Sequence, residues 1–509
     1  MNIVYLSTEA VPFAKTGGLA DVCGALPIEM AKLDHRCELI MPAFRSVHQC
    51  GLPIESTDIS FAIAMGDRKV VGCRLLRSHL PGGDVPVWLI DQPQYFDRPS
   101  LYGDKHGDYP DNAERFAFFC RAAIIAMGRI NRRIDVVHCN DWQTALVPAL
   151  VRLGDAAPDG LPVSLQNAST LLTIHNLAYQ GNFGADQFRW LQLGGEHFVS
   201  ESFEYYGQLN FLKAGIVTAD AISTVSPTYA EEIKTPQQGC GFDGILRDLS
   251  DRVSGIINGI DLRAWDPSVD TKLHARYDAS SWVEGKRENK LALQTEVGLP
   301  QSANVPLIGL VGRLADQKGW DLIMPVLRRH VEQNRPTQWV VLGSGSGAIE
   351  EQLRQLSTEY PHQLAAHIGF SDTLAHRIEA AADLFVMPSH YEPCGLNQLY
   401  SLRYGTVCVV TPTGGLADTI VNADTASVAA DTATGFVMND VSVDALDEAI
   451  GRALRVRYHE PETWKKIIRR GMTSEWSWRK SAAQYAELYA RSISLSRQRK
   501  KGPQLRSVF

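Results

Sequence analysis

The sequence lacks an apolar run long enough to cross a membrane, and its cysteines lack the spacing of a disulfide framework or a zinc site. The longest apolar runs, such as 305–312, fall far short of the roughly 20 residues that span a bilayer. The nine cysteines are an odd number with no Cys-x-x-Cys pair, which is typical of reduced thiols. No basic stretch followed by an apolar one precedes the first strand. We therefore expect a cytoplasmic protein that is not exported.

An excess of positive charge is also missing. Against 57 acidic side chains there are 50 lysines and arginines, so the formal net charge is −7. Such a chain has no overall field that attracts nucleic acid, and any phosphate site must be local. The 509 residues, 45% of them hydrophobic and 21% charged, are typical of a globular protein with roughly two to four domains.

Three phosphate-binding signatures are absent as well. The pattern G-x-x-x-x-G-K-[ST] does not occur, and G-x-G-x-x-G does not follow the first strand, which argues against a P-loop and against a nicotinamide-dependent dehydrogenase. No Asp-x-Asp triplet occurs, so the usual acidic signature of a metal-bridged sugar diphosphate is missing. We expect no metal and no cofactor, with positive side chains in place of a cation.

What the sequence contains is an alternation of short β-branched runs with helix-period stretches. Residues 111–130 return an apolar position every three or four residues beneath a charged face, which predicts a helix. The predicted strands are 2–6, 37–42, 85–90, 136–140, 170–176 and 221–226, followed by 305–312, 338–345, 365–370, 383–389 and 406–412. Runs of this kind are typical of parallel strands buried on both faces. The fold class predicted is α/β, with two doubly wound, Rossmann-like sheets.

A charge-rich interval near 261–290 separates the two sets, and a helix resumes at about Ser281. We place the first domain at 1–260 and the second at 261–480. Residues 481–509 are expected to form a helix that crosses back to the first domain, followed by a basic tail. Ligands of such sheets bind at the carboxyl ends of the strands, so the active site is expected in a deep cleft between the two domains.

The tail, 494–509, lacks periodicity, which favours a solvated and frayed end over a partner-binding arm. Its basic residues are Arg497, Arg499, Lys500, Lys501 and Arg506.

The hexapeptide TGGLAD occurs twice, at 16–21 and 413–418, each time after a predicted strand. Two glycines at a helix start leave backbone N–H groups and the positive end of the dipole facing outward, where an anion can bind. Lys15 precedes the first copy and adds a flexible ammonium that suits a diphosphate. Ordinary turn glycines and a surface lysine are the alternatives.

Charged residues follow two strands of the second half. Arg313 and Lys318 share one strand-to-helix loop, where both cations can converge on a phosphate pair and stabilise the charge of a departing diphosphate. Glu392 precedes a helix that Gly395 is predicted to open, so its carboxylate is expected to stay ionised. It can accept hydrogen bonds from sugar hydroxyls or stabilise a cationic sugar carbon. Solvated cations and a capping glutamate are the alternatives.

Two polar residues follow strands of the first half. Asp141 comes after 136–140 and His175 lies at the end of 170–176, where side chains reach a ligand-binding edge. A helix-capping aspartate and a core histidine are the alternatives.

Taken together, these segments closely resemble the motifs of bacterial glycogen synthases and plant starch synthases, in chain order up to about Trp478. The segments are KTGGLADV, GDYPDNAERFAFF, DWQTAL, TIHNLAYQG, VSPTYAEEI, GRLADQKG, EPCGLNQLYSLRYGT and TGGLADT. The resemblance implies a GT-B fold and metal-independent transfer of glucose from ADP-glucose to the non-reducing 4-hydroxyl of an α-1,4-glucan such as glycogen, with retention. The negative net charge and the short apolar runs lead us to expect no nucleic-acid or membrane partner. A long N-terminal extension of the plant type is missing, which favours a bacterial glycogen synthase.

The resemblance also implies roles for individual residues. The implied catalytic set is Glu392, His175, Asp141, Lys318 and Arg313. The implied donor-binding set is Lys15, Gly17, Gly18, Arg313, Lys318, Asn258, Thr413, Gly414 and Gly415. Tyr109 and Tyr179 are implied on the acceptor side.

Two departures from the family pattern reduce positive charge: His390 stands where an arginine is common, and Thr411 stands where a basic residue is common. A transferase that uses UDP-glucose or another acceptor is one alternative, although many of those carry a second glutamate where this chain has Tyr400. A glucan-binding protein without catalysis is the other, against which the intact set of Lys15, Arg313, Lys318 and Glu392 argues.

Overall fold

The computed structural model describes residues 1–66, 69–130, 133–154 and 157–501. The chain divides into two compact units. Unit 1 comprises 1–225, 230–259 and the chain from 478 onward, and unit 2 comprises 226–229 and 260–477. The domain limits predicted from the sequence were 260 and 480.

Unit 1 contains a nine-stranded sheet in the order β14-β13-β9-β8-β1-β2-β5-β4-β3. Its strands and those of two small sheets are β1 (Asn2–Leu6), β2 (Arg36–Pro42), β3 (Glu55–Met65), β4 (Lys69–His79), β5 (Pro86–Asp91), β6 (Gly103–Asp104), β7 (Gly107–Asp108), β8 (Val136–Asn140), β9 (Ser169–Ile174), β10 (Asn182–Gly184), β11 (Glu204–Tyr205), β12 (Gln208–Asn210), β13 (Ala221–Thr224) and β14 (Val253–Gly255). The sheet is parallel from β14 to β5. It therefore has the predicted doubly wound character.

Several helices of this part of the chain pack against the sheet. The helices here are α1 (Gly18–Lys32), α2 (Arg45–Gln49), α3 (Pro93–Phe96), α4 (Asn112–Ile130), α5 (Leu146–Leu153), α6 (Phe211–Thr218), α7 (Pro227–Glu232) and α8 (Asp243–Asp248). Helix α4, predicted at 111–130, buries a continuous series of apolar residues that includes Phe116 and Phe119. Its apolar period is the reason that it could be located from sequence.

Unit 2 contains a six-stranded parallel sheet in the order β17-β16-β15-β18-β19-β20. Its strands are β15 (Leu307–Val311), β16 (Gln338–Gly343), β17 (Leu364–Ile368), β18 (Leu384–Met387), β19 (Val407–Val410) and β20 (Gly435–Val437). Its helices are α9 (Trp282–Glu296), α10 (Trp320–Glu332), α11 (Gly347–Glu359), α12 (Asp372–Ala381), α13 (Asn397–Tyr404), α14 (Gly414–Thr419), α15 (Thr425–Ala429), α16 (Val443–His459) and α17 (Pro461–Thr473). Apolar clusters fill both faces of the sheet, as expected for a parallel sheet between helix layers.

The last described helix, α18 (Trp478–Lys501), belongs to unit 1 and packs against α1 and β9. The hydroxyl of Tyr489 lies 2.9 Å from Nδ1 of the buried His138 and donates to the hydroxyl of Tyr5 at 3.0 Å. The prediction of a frayed end is wrong for the part that the structure describes, because Arg499 forms an ion pair with the buried Asp220 at 2.5 Å. Arg506 lies outside the described residues.

Two other local expectations differ from the structure. β4 and β3 form an antiparallel extension at one edge of the unit 1 sheet. The pattern of strands buried on both faces does not predict this pair, because one of its faces is exposed. Helix α13 begins at Asn397 instead of Gly395. Gly395 has a φ of +70°, so it forms the turn that leads into the helix.

Candidate active site

The predicted site residues of unit 1 lie at the carboxyl ends of neighbouring parallel strands. Lys15, Gly17 and Gly18 follow β1, Asp141 follows β8, and His175 follows β9. These three strands are adjacent in the sheet. The structure therefore brings the residues to the edge where doubly wound sheets bind ligands.

The first TGGLAD segment is held by a carboxylate of the same unit. Glu9, which is buried, accepts hydrogen bonds from the backbone N–H groups of Thr16 at 2.5 Å and Gly17 at 3.1 Å, and from the Thr16 hydroxyl at 2.6 Å. The predicted open cradle is wrong for these two amides, because an internal anion already occupies them. α1 begins at Gly18, so the helix start itself still presents amide groups.

A second layer fixes Glu9. The hydroxyl of Tyr102 donates to Oε1 of Glu9 at 2.7 Å and lies 2.7 Å from the Thr8 hydroxyl. Lys15, at the edge of this segment, pairs with Asp21 at 2.7 Å, and its side chain is 47% exposed. An exposed pair of this kind is worth little, so a diphosphate can displace Asp21 from the Lys15 ammonium.

Asp141 has an unusual backbone and an unusual acidity. Its φ of +55° with ψ of −176° is rarely adopted by a residue other than glycine, and such strain is concentrated at functional sites. Oδ1 accepts the backbone N–H of His175 at 2.7 Å. Burial raises the pKa of Asp141 to about 7, and the nearby Glu9 carboxylate acts in the same direction. The carboxyl group is thus oriented toward the loop that carries His175.

The ring of His175 is oriented by Asn140, the last residue of β8. Nε2 of His175 lies 2.9 Å from Oδ1 of Asn140. Nδ2 of Asn140 donates to the carbonyl oxygens of Leu6 at 3.1 Å and His138 at 3.4 Å, which fixes the orientation of the amide. Because Oδ1 can only accept, Nε2 of His175 carries the proton. Removal from water lowers the pKa of His175 to about 3, so the ring is neutral and Nδ1 is an acceptor.

The remaining predicted residues of unit 1 lie in separate surroundings. Asn258 follows β14 and is buried, with no hydrogen-bond partner for Oδ1 among the described residues. Tyr109 follows the β6–β7 hairpin, its ring lies beneath the guanidinium of Arg98 at 4.7 Å, and its N–H donates to the carbonyl of Tyr102. Tyr179 is 51% exposed on the loop that begins at His175.

In unit 2, the predicted residues also follow adjacent strands. Arg313 and Lys318 follow β15, Glu392 follows β18, and Thr413 follows β19, and these strands lie side by side in the order β15-β18-β19. The loop after β15 is anchored by the indole N–H of Trp320, which donates to the carbonyl of Arg313 at 3.2 Å. Both sequence-predicted cations therefore sit on one fixed loop.

Lys318 and Glu392 are in direct contact. The Lys318 ammonium donates to Oε2 of Glu392 at 2.5 Å, and the hydroxyl of the buried Ser389 donates to the same oxygen at 3.0 Å. The Lys318 side chain is 26% exposed and that of Glu392 is 7% exposed. A carboxylate and an ammonium held together at a strand end can act on a sugar and on a phosphate attached to it.

The second TGGLAD segment packs closely against the Glu392 loop. The N–H of Gly415 donates to the carbonyl of Glu392 at 3.0 Å, and the N–H of Thr413 donates to the carbonyl of Thr411 at 3.0 Å. The prediction of free backbone donors is wrong for these two amides. A Cβ on Gly414 would lie 2.0 Å from the carbonyl oxygen of Glu392. These glycines are needed for close approach of two backbones.

The two departures from the family pattern have structural partners. Nε2 of His390 lies 2.8 Å from Oδ1 of Asp321. Thr411 is buried, and its hydroxyl donates to the carbonyl of Ser389 at 2.6 Å, so it supports the residue that binds Glu392. Tyr400 stacks on Trp265 with ring centroids 3.7 Å apart and is a core residue.

Within the ranges described above, no group of three or more His, Cys, Asp or Glu side chains could hold a metal ion. None of the described helices is both long enough and apolar enough to cross a membrane.

Similarity to known proteins decides the family. Residues 2–248 match the starch synthase catalytic domain, and residues 298–471 match the group 1 glycosyl transferases. The chain is 64% identical to a glycogen synthase of Rhodopirellula baltica over 99% of this chain and 100% of the relative. The chain belongs to the glycogen and starch synthase family. It is therefore a glycosyltransferase, and the predicted family and enzyme class are confirmed.

Other family members support the same assignment. A glycogen synthase of Syntrophotalea carbinolica is 46% identical over 97% of this chain and 99% of the relative. The catalytic domain of starch synthase IV from Arabidopsis thaliana, solved bound to ADP and acarbose, has a TM-score of 0.86 at 30% identity and covers 97% of this chain and 99% of that chain. The two parallel-sheet units and this match confirm the GT-B fold class.

The sequence pattern alone does not predict several residues at these strand ends. Glu9 follows β1 directly, so the rule that ligands bind at the carboxyl ends of strands could have found it. Asn140 was not singled out because an amide at the end of a strand has no distinctive spacing. Phe370 follows β17 and is 90% exposed, the highest exposure among the large hydrophobic residues described.

Proposed function

We propose that the protein transfers glucose from ADP-glucose to the non-reducing 4-hydroxyl of an α-1,4-glucan, with retention at the anomeric carbon and without a metal ion. The observation that carries this proposal is the contact between Lys318 and Glu392 at the strand ends of unit 2, where Lys318 shares its loop with Arg313. The ADP and acarbose bound to the related starch synthase IV support a nucleotide donor of this kind and a glucan acceptor.

Unit 2 would supply the groups that act on the leaving diphosphate. As the bond to glucose breaks, negative charge grows on the distal phosphate of ADP. Lys318 and Arg313 are already fixed on one loop, so their charges stabilise that phosphate with little reorganisation. When a phosphate takes up the Lys318 ammonium, Oε2 of Glu392 is released to accept a hydrogen bond from a sugar hydroxyl or to stabilise the cationic sugar carbon.

Phe370 is a further candidate for donor binding. An exposed aromatic ring at the end of β17 offers a face on which adenine can stack, a contact worth about 1–3 kcal/mol. The adjacent Gly369 has a φ of +140°, so the turn that presents the ring needs glycine.

Unit 1 would supply groups for the transferred glucose. Asp141 and the acceptor nitrogen Nδ1 of His175 suit hydrogen bonds from sugar hydroxyls, because a neutral His175 with its proton on Nε2 can only accept at Nδ1. Lys15 would add a positive charge for the diphosphate. The sequence motifs offer no evident nucleophile for the sugar, which favours attack from the same face, with the departing phosphate taking the acceptor proton.

The cytoplasmic location is also a proposal, supported by nine cysteines that all remain free thiols.

Purified protein, glycogen and either ADP-glucose or UDP-glucose, with a chelator present, provide the test. Nucleotide release and glucose incorporated into α-1,4-linked polymer are measured together. We expect incorporation mainly from ADP-glucose. Preference for UDP-glucose would overturn the donor, a need for added metal would overturn metal independence, and glycogen binding without incorporation would favour a binding protein.

A further inference from the structure

One exposed aromatic residue of unit 1 lies in a turn that disfavours it. β11 and β12 are joined by Tyr206 and Gly207, with Tyr205 paired to Gln208 across the hairpin. The φ angles of Tyr206 and Gly207 are +49° and +77°, so both central residues are left-handed, as in a type I′ turn. Such turns strongly prefer Asn-Gly, because a bulky residue at the first position is strained.

Tyr206, the strained residue, is also exposed to solvent. Tyr206 is 87% exposed, and its ring stands edge-on to that of Tyr205 with centroids 4.7 Å apart. Tyr205 in turn packs against Phe242 at 4.8 Å and donates its hydroxyl to the carbonyl of Gly241 at 2.7 Å. The neighbouring rings therefore hold Tyr206 in place while leaving most of its surface in water.

The hairpin is joined to the loop that follows His175. Gln180 on that loop donates to the carbonyl of Cys240 at 2.9 Å, next to the Gly241 carbonyl that Tyr205 binds. Asn210, at the end of β12, donates to Oε1 of Gln180 at 3.3 Å. Within unit 1, hydrogen bonds thus join the hairpin region to the His175 loop, which also carries the half-exposed Tyr179.

We propose that the Tyr205–Tyr206 turn is a binding subsite for an α-glucan chain, on which a glucose unit remote from the reacting end stacks against the ring of Tyr206. The subsite rests on the proposed glucan acceptor and extends it. The apolar C–H face of a glucose ring matches an exposed aromatic face. Tyr206 keeps a strained positive φ that asparagine would adopt more easily. Stacking against a glucose ring, which asparagine cannot provide, explains why a tyrosine stands there.

Two variants separate binding from folding. Tyr206→Asn restores the preferred Asn-Gly turn, so its melting temperature is expected to rise by about 1–4 °C, while its binding to long glucans weakens. Tyr206→Phe keeps the ring and is expected to bind glycogen as the wild type does. Tyr458→Ala, at a half-exposed tyrosine of α16 in unit 2, is the control for loss of a surface aromatic.

The measurements are retardation in gels that contain glycogen, and KM for glycogen and for maltotriose with ADP-glucose as donor. For Tyr206→Asn we expect KM for glycogen to rise about 5- to 10-fold, with kcat and the KM for maltotriose unchanged. An unchanged KM for glycogen and unchanged retardation would overturn the subsite, as would an equal rise for both acceptors. A wild type that incorporates no glucose into either acceptor would overturn the proposed function, whereas retardation would still test the subsite.

Discussion

The N–H of Gly415 donates a hydrogen bond to the carbonyl oxygen of Glu392 at 3.0 Å, which joins the second TGGLAD segment to the proposed catalytic loop. A Cβ on Gly415 would lie 1.8 Å from the carbonyl oxygen of Cys394. The backbone of Gly415 can lie this close to the backbone of residues 392–394 only because Gly415 has no side chain. The glycine pair therefore sets where the Glu392 backbone lies.

Gly415→Ala is expected to displace the loop 392–394 and to lower kcat by about 100-fold or more, because a shift of about 1 Å in a catalytic group costs about that much. The matched control is Gly347→Ala at the start of α11, where an added Cβ meets no heavy atom within 4 Å. Steady-state assays and circular dichroism on both variants check the expectation. Equal activity of the two variants would show that the loop tolerates the displacement.

The Glu9 carboxylate orders the segment that carries Lys15. Oε2 of Glu9 accepts both the Thr16 and the Gly17 amides, and Oε1 accepts the Thr16 and Tyr102 hydroxyls. In Glu9→Gln these donors lose their charged acceptor, and the hydroxyls that face the new NH2 group must turn from donors into acceptors. We expect the KM for ADP-glucose to rise about 10-fold, the effect of about one lost hydrogen bond to a charged group.

Glu29→Gln is the control for this change. Glu29 pairs with Lys32 on the exposed face of α1, where ion pairs contribute little. Its KM should match that of the wild type. If Glu9→Gln behaves like Glu29→Gln, the first TGGLAD segment does not depend on Glu9.

Asp141 couples stability to pH. Because burial raises its folded-state pKa to about 7, above the ordinary value of 3.8, the charged form destabilises the fold. The resulting reduction in the free energy of unfolding is absent below about pH 3.8, grows as the pH rises, and is complete above about pH 7. Asp141→Asn should therefore unfold at a higher denaturant concentration than the wild type at pH 8, with the difference disappearing near pH 4.

The same variant should lose activity. An amide binds a sugar hydroxyl more weakly than a carboxylate, so kcat/KM at pH 8 is expected to fall about 10- to 100-fold. Unfolding curves and initial rates on one preparation provide the check. A variant that is less stable than the wild type at pH 8 would contradict the destabilising charge.

The sequence predicts those parts of the fold and site that depend on local pattern. Buried β-branched runs located β1, β8, β15 and β18, and the rule for strand ends selected Asp141 and Glu392. Contacts that depend on tertiary packing were not predictable. An open anion cradle at Gly17 was expected because nothing in the local sequence shows that Glu9 occupies its amide.

The end of the chain gives the same lesson. Residues 494–501 lack an apolar period and were interpreted as frayed. In the structure residues 494–501 extend α18. Arg499 forms an ion pair there with the buried carboxylate of Asp220, which is far away in sequence. A long-range ion pair of this kind leaves no periodic signal.

The most direct test of the account is the Glu392→Gln variant, measured for both donor binding and turnover. Gln keeps the size of the side chain but removes the charge that pairs with Lys318. Calorimetry should show ADP-glucose bound within about threefold of the wild-type affinity, while kcat falls at least about 100- to 1,000-fold, the range for loss of an electrostatic group that acts in the transition state. Turnover close to that of the wild type would contradict the assignment of Glu392 to the reaction.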